Sequence, residues 1–111
     1  MPSAIGYLRS DVSGARQVWD ENQIRSLAKK FGYDLRKMIV FSATTDRPAH
    51  RLRVVVSRLG VDAVFVPSLE HFEGSEIPAE VAAVAAVVTV SPQITHARRA
   101  AAATTPGGEA R

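Results

Sequence analysis

The chain has 111 residues, 46% hydrophobic and 23% charged, which fits one globular domain with a modest core and excludes a disordered chain. It contains no cysteine, so disulfides, thiolate chemistry and cysteine-based zinc sites are excluded, and no apolar run reaches the roughly 18 residues of a membrane span. The net charge is +3, from eleven arginines against three lysines, a mild signal for planar, bidentate contacts to phosphate.

Met1 to Gly6 lack the basic and apolar regions of a signal peptide, so a cytoplasmic location with no membrane partner is expected. Ala4 to Leu8 is short and mostly apolar, as a buried first strand would be. Asp11 to Val18, with Ser13-Gly14, reads as a loop. A helix is predicted from about Asp20 to Phe31, with Asp20 and Gln23 as a capping box, Ile24, Leu27, Ala28 and Phe31 as its apolar face, and Gly32 as its stop.

Leu35 to Phe41 is the second strand. A second helix runs from about Arg47 to Leu59, with Asp46 as cap and Pro48 in its first turn; Leu52, Val55, Val56 and Leu59 face inward. Val61 to Val66 is β-branched and forms the third strand. Ser68 to Ser75 is loop, Ile77 to Ala86 a short helix and Val87 to Val90 a fourth strand. Alternating strands and helices imply a three-layer α/β sandwich with a mainly parallel sheet of about four strands over residues 1–92. Residues 93–111 form an Ala/Arg-containing tail; Ile94 to Ala103 could extend as a helix, and Thr104 to Arg111 is expected to be disordered.

The segment from Ala4 to about Ser91 resembles the catalytic domain of serine recombinases, the resolvases and DNA invertases. Tyr7-Leu8-Arg9-Ser10-Asp11 is similar to that family's opening motif, in which Tyr7 and Arg9 match an aromatic residue and an active-site arginine. Gln23-Ile24-Arg25, Ala28 and Gly32-Tyr33 resemble its first helix. Asp46-Arg47-Pro48 with Leu52 resembles the segment that carries a further active-site arginine, and Val61 to Leu69 resembles the strand before an Asp-Arg-Leu-x-Arg motif.

The resemblance implies attack on a DNA phosphate by a serine hydroxyl, with arginines stabilising the developing charge. The departures fall on that chemistry. Asp11 stands at the nucleophile position, and the Asp-Arg-Leu-x-Arg motif reads Glu70-His71-Phe72-Glu73-Gly74, so His71 and Gly74 replace its two arginines. Ser13 is the one residue that could substitute for the nucleophile. Arg9 and Arg47 either preserve a weak anion pocket or pair with Asp11 or Glu70.

Other candidate sites are weaker. His50, His71 and His96 have no metal-ligand spacing, and His71 reads as a surface histidine beside carboxylates. No nucleotide-binding glycine motif is present. Arg47, Arg51 and Arg58 fall within about 40° on the second helix, a stripe that could grip a nucleic-acid backbone or be a solvated face. Phe31, Phe41 and Phe65 occupy core-like positions, whereas Trp19 and Phe72 could anchor a protein interface.

Three readings follow. The first is a non-enzymatic, recombinase-like binding or adaptor module for a protein partner or nucleoprotein complex, without cofactor or metal. The second is a DNA- or RNA-binding protein, ribosome-associated binding included, that uses Arg9, Arg47, Arg51 and Arg58. The third is a residual recombinase or nuclease that uses Ser13, or a metal held by Asp11 and Glu70.

Overall fold

The computed structural model describes residues 1–99. Five strands form one sheet: β1 (Ser3–Arg9), β2 (Asp34–Phe41), β3 (Ala63–Val66), β4 (Ala86–Thr89) and β5 (Ile94–His96). Their order is β2-β1-β3-β4-β5, parallel throughout except for the antiparallel β4–β5 pair. Between them lie α1 (Ser10–Ser13), α2 (Gln17–Lys30), α3 (Pro48–Leu59) and α4 (Ala79–Ala82).

A parallel strand covered on both faces must be apolar at successive positions, and β1 and β3 are. Every residue of β3 and the five central residues of β1 are buried. Alternating side chains then divide between two cores. Ile5, Tyr7, Val64, Val66 and Val87 join Leu52 and Val56 of α3 and Val81 of α4. Ala4, Leu8, Ala63, Phe65 and Val88 join Ile24, Leu27 and Ala28 of α2. Phe65 is fully buried there, with the rings of Tyr33 and Phe31 5.2 and 6.3 Å away.

Four sequence expectations change. The segment after β1 is helical rather than a loop: α1 follows at once, a tight turn spans Gly14–Arg16, and α2 begins at Gln17. Gly14 makes the reversal with a positive φ of 54°, which favours glycine. Asp20 is therefore inside α2 and caps nothing. Asp46 does not cap α3 either. The N-cap position falls on Arg47, which takes a left-handed backbone (φ 49°, ψ 57°) uncommon for a residue other than glycine, and no side chain caps that end.

The fifth strand is the third change. Ile94–His96 pairs with β4, so the sheet extends into the segment expected as tail or helix. The remainder of that expected tail, from residue 100, lies outside the described residues. Finally, Phe31 sits at the end of α2 and is partly exposed rather than in the core.

At Gly6 side chains of α2 and β2 press close against β1. A Cβ there would meet Met38 Sδ at 2.6 Å and Ile24 Cγ2 at 2.9 Å. The Met38 side chain can yield, whereas the β-branched Ile24 cannot without moving α2. Gly6→Ala should therefore lower the unfolding free energy by about 1–3 kcal/mol, read as a lower urea midpoint at unchanged slope.

Candidate functional site

In open parallel sheets, ligands bind beyond the carboxyl ends of the strands, where the chain departs to opposite sides of the sheet. Here that point lies between β1 and β3. A cavity of about 510 Å³ opens there, bounded by α1 and α2 on one side and by the segments after β3 and β4 on the other. Ser13, Arg16, Trp19, Asp20, Glu70 and His71 line it.

His71 holds this end of the sheet together. The segment after β3 forms a short helical turn, Leu69–His71, and carries its imidazole under β1. Nδ1 accepts the backbone N–H of Arg9 at 2.9 Å, while the His71 carbonyl accepts the Tyr7 hydroxyl at 3.0 Å. The side chain expected at the surface is instead 3% exposed. Burial lowers its pKa, against the opposing influence of Asp20 and Glu70, and the hydrogen bond that Nδ1 accepts places the proton of the neutral ring on Nε2.

Tyr7 is a structural residue. Its ring stacks on Phe72 at 5.4 Å and meets Phe41 edge-on at the same distance. Burial pushes its hydroxyl up to about 12. Phe72 is 4% exposed and belongs to the core, which corrects its expected role as an interface anchor. Trp19, by contrast, is 57% exposed at the cavity.

Asp11 is bound by Arg9. The guanidinium donates from Nε to Oδ1 at 3.1 Å and from Nη2 to Oδ2 at 2.7 Å. That pairing holds the Asp11 carboxyl below its usual range and raises the Arg9 pKa. Ser13 is not in a free loop: it is buried in α1, and its hydroxyl donates to Asp20 Oδ2 at 2.6 Å. Gly74 has a positive φ of 69°, a conformation in which an arginine would be strained.

The expected arginines divide between surfaces. Arg9 lines a hollow of about 30 Å³ with His71 and Glu73. Arg47 and Arg51 line a separate one of about 360 Å³ with Phe41 and His50. Arg47, Arg51 and Arg58 are all exposed, and Arg51 Nε donates to the Asp46 carbonyl at 2.7 Å. Among the described residues no three His, Asp or Glu side chains converge as a metal site requires.

Sequence reasoning missed the buried Ser13–Asp20 pair and the α2 wall of the cavity. A signal existed. Arg16, Trp19, Asp20 and Gln23 recur at i, i+3, i+4 and i+7, which places them on one helical face.

No family model matches the chain, and no match was found among curated proteins or solved structures. The likeness to serine recombinases thus rests on the sequence motifs alone. No helix among the described residues is long and apolar enough to cross a membrane.

A histidine whose folded pKa lies below its unfolded value binds fewer protons when folded, so stability is lost as pH falls. The contribution of His71 is present above its ordinary 6.5 and declines below it. Asp11, whose ordinary value is 3.8, acts in a lower window. Urea midpoints should therefore drop between about pH 7 and 5, and His71→Gln should flatten that drop.

Proposed function

We propose that this chain is a catalytically inactive, serine-recombinase-like domain that works as a binding or adaptor module for a protein partner or nucleoprotein complex. The two separate cores formed by alternating strand residues support the three-layer, resolvase-like arrangement in this reading. The observation that carries the functional reading is the bidentate Arg9–Asp11 pair. At the position of the family's nucleophile stands a carboxylate, and it neutralises the arginine that would otherwise receive the phosphate.

A phosphate entering this site would have to displace the Asp11 carboxylate from Arg9 and approach Glu70 and Glu73. Ser13 is a poor replacement, because it is buried and neither Arg9 nor Arg47 lines the cavity it shares with Asp20. Removing one charge-stabilising donor from a phosphoryl or acyl transfer site costs about 3–4 kcal/mol, and here two arginines and the nucleophile are replaced together.

A second reading, binding to DNA or RNA, is favoured by one observation: Arg47, Arg51 and Arg58 are all exposed along α3 and its start. Such a surface engages phosphates through counterion release, which makes binding strongly salt-dependent.

Incubating the purified chain with supercoiled and linear duplex DNA, followed by denaturing electrophoresis, should give no covalent protein–DNA adduct. An adduct that survives denaturation would overturn the first reading. For the second, anisotropy with labelled duplex DNA and structured RNA from roughly 50 to 200 mM salt should show steeply salt-dependent binding. The Arg51→Glu, Arg58→Glu double variant should weaken it and reduce the salt slope by about 2; unchanged affinity and slope would exclude the α3 surface.

A further inference from the structure

The cavity between α2 and the ends of β1, β3 and β4 is lined in part by buried polar groups. Ser13 is 7% exposed, Asp20 8% and His71 3%. Leaving such groups buried is costly unless they are hydrogen-bonded. Asp20 accepts from Ser13 and has Arg16 Nη2 at 3.8 Å from its other oxygen. The His71 ring uses Nδ1 on the Arg9 N–H, and its Nε2–H, which makes no hydrogen bond to another described residue, is not a buried orphan but open to solvent, free to meet a ligand. That donor belongs to a side chain lining the cavity.

Charge narrows the class of ligand. The lining carries two carboxylates, Asp20 and Glu70, against one guanidinium, Arg16, with His71 neutral. The net charge of −1 repels phosphates and other anions. It favours a cation that can donate several hydrogen bonds. Trp19 adds a flat, exposed indole at the same site, and indole is the best of the aromatic partners for a cation.

We propose that this cavity receives a guanidinium group, the side chain of an arginine presented by a protein partner. Planarity decides for arginine over lysine: a guanidinium stacks on an aromatic face and directs its fork of N–H donors to carboxylates, whereas an ammonium is a point charge. Trp19 supplies the face, and Asp20 and Glu70 supply the acceptors. A peptide carbonyl of the same arginine-bearing segment accepts the His71 Nε2–H. The inference deepens the adaptor reading by naming the chemistry of the partner, and it rests on that reading only in assigning the arginine to a protein.

Trp19 is the sole tryptophan, so intrinsic fluorescence reports this site directly. The full chain is titrated with N-acetyl-arginine amide, with its neutral analogue N-acetyl-citrulline amide, and with AMP. The arginine derivative should give a saturable change, and the citrulline analogue should bind roughly tenfold more weakly, as expected for loss of charge-assisted hydrogen bonds. Glu70→Gln, at an exposed position that does not test the core, should weaken the arginine derivative to a similar extent. No saturable response to the arginine derivative, equal binding of citrulline, or tighter binding of AMP would each overturn the proposal. A DNA adduct with arginine binding retained overturns the adaptor reading alone; loss of arginine binding without an adduct overturns this inference alone.

Discussion

The fastening of His71 to the end of β1 is the interaction on which the rest of this structure depends. Two hydrogen bonds, Arg9 N–H to the imidazole and the Tyr7 hydroxyl to the His71 carbonyl, tie residues more than sixty positions apart. They draw the segment after β3 across the carboxyl end of the sheet. Phe72 is thereby placed on Tyr7, closing the core under α3, and the same turn makes one wall of the larger cavity. One buried histidine thus joins the packing of one sheet face to the shape of the crevice on the other.

Neutralisation sets the chemistry around it. A free arginine at the end of β1 would attract phosphate, but Arg9 gives one edge of its guanidinium, Nε and Nη2, to the Asp11 carboxylate, which offsets its charge. The Ser13 hydroxyl donates to the buried Asp20 carboxylate. Unpaired cationic character survives elsewhere, along α3, on a surface separate from this crevice. The molecule therefore offers two chemically opposite faces: an arginine-bearing helix and an acidic, tryptophan-edged cavity.

Much of the architecture was legible because it follows from short-range rules. The apolar runs of β1 and β3, the inward positions Ile24, Leu27 and Ala28, and the Pro48–Gly60 frame of α3 all mark elements that formed where expected. The misreadings share a cause. Asp20 looked like a helix cap, His71 like a surface residue and Phe72 like an exposed anchor, because each was judged against its sequence neighbours. Each is buried by a partner distant in sequence or across a helix break: Ser13 for Asp20, Arg9 for His71 and Tyr7 for Phe72. The short β5 escaped notice because three residues, two of them exposed, carry no strand signal; pairing with β4 creates it.

The sequence by itself determined the α/β class, the mainly parallel sheet and the apolar runs of its central strands. These are properties of periodicity and residue identity, which need no knowledge of neighbours in space. Only the tertiary structure decided that Asp11 pairs with Arg9, that Ser13 donates to Asp20, and that Trp19, Glu70 and His71 share one cavity. Those facts depend on how the carboxyl ends of three parallel strands converge, and convergence of distant segments is a consequence of packing that no local pattern encodes.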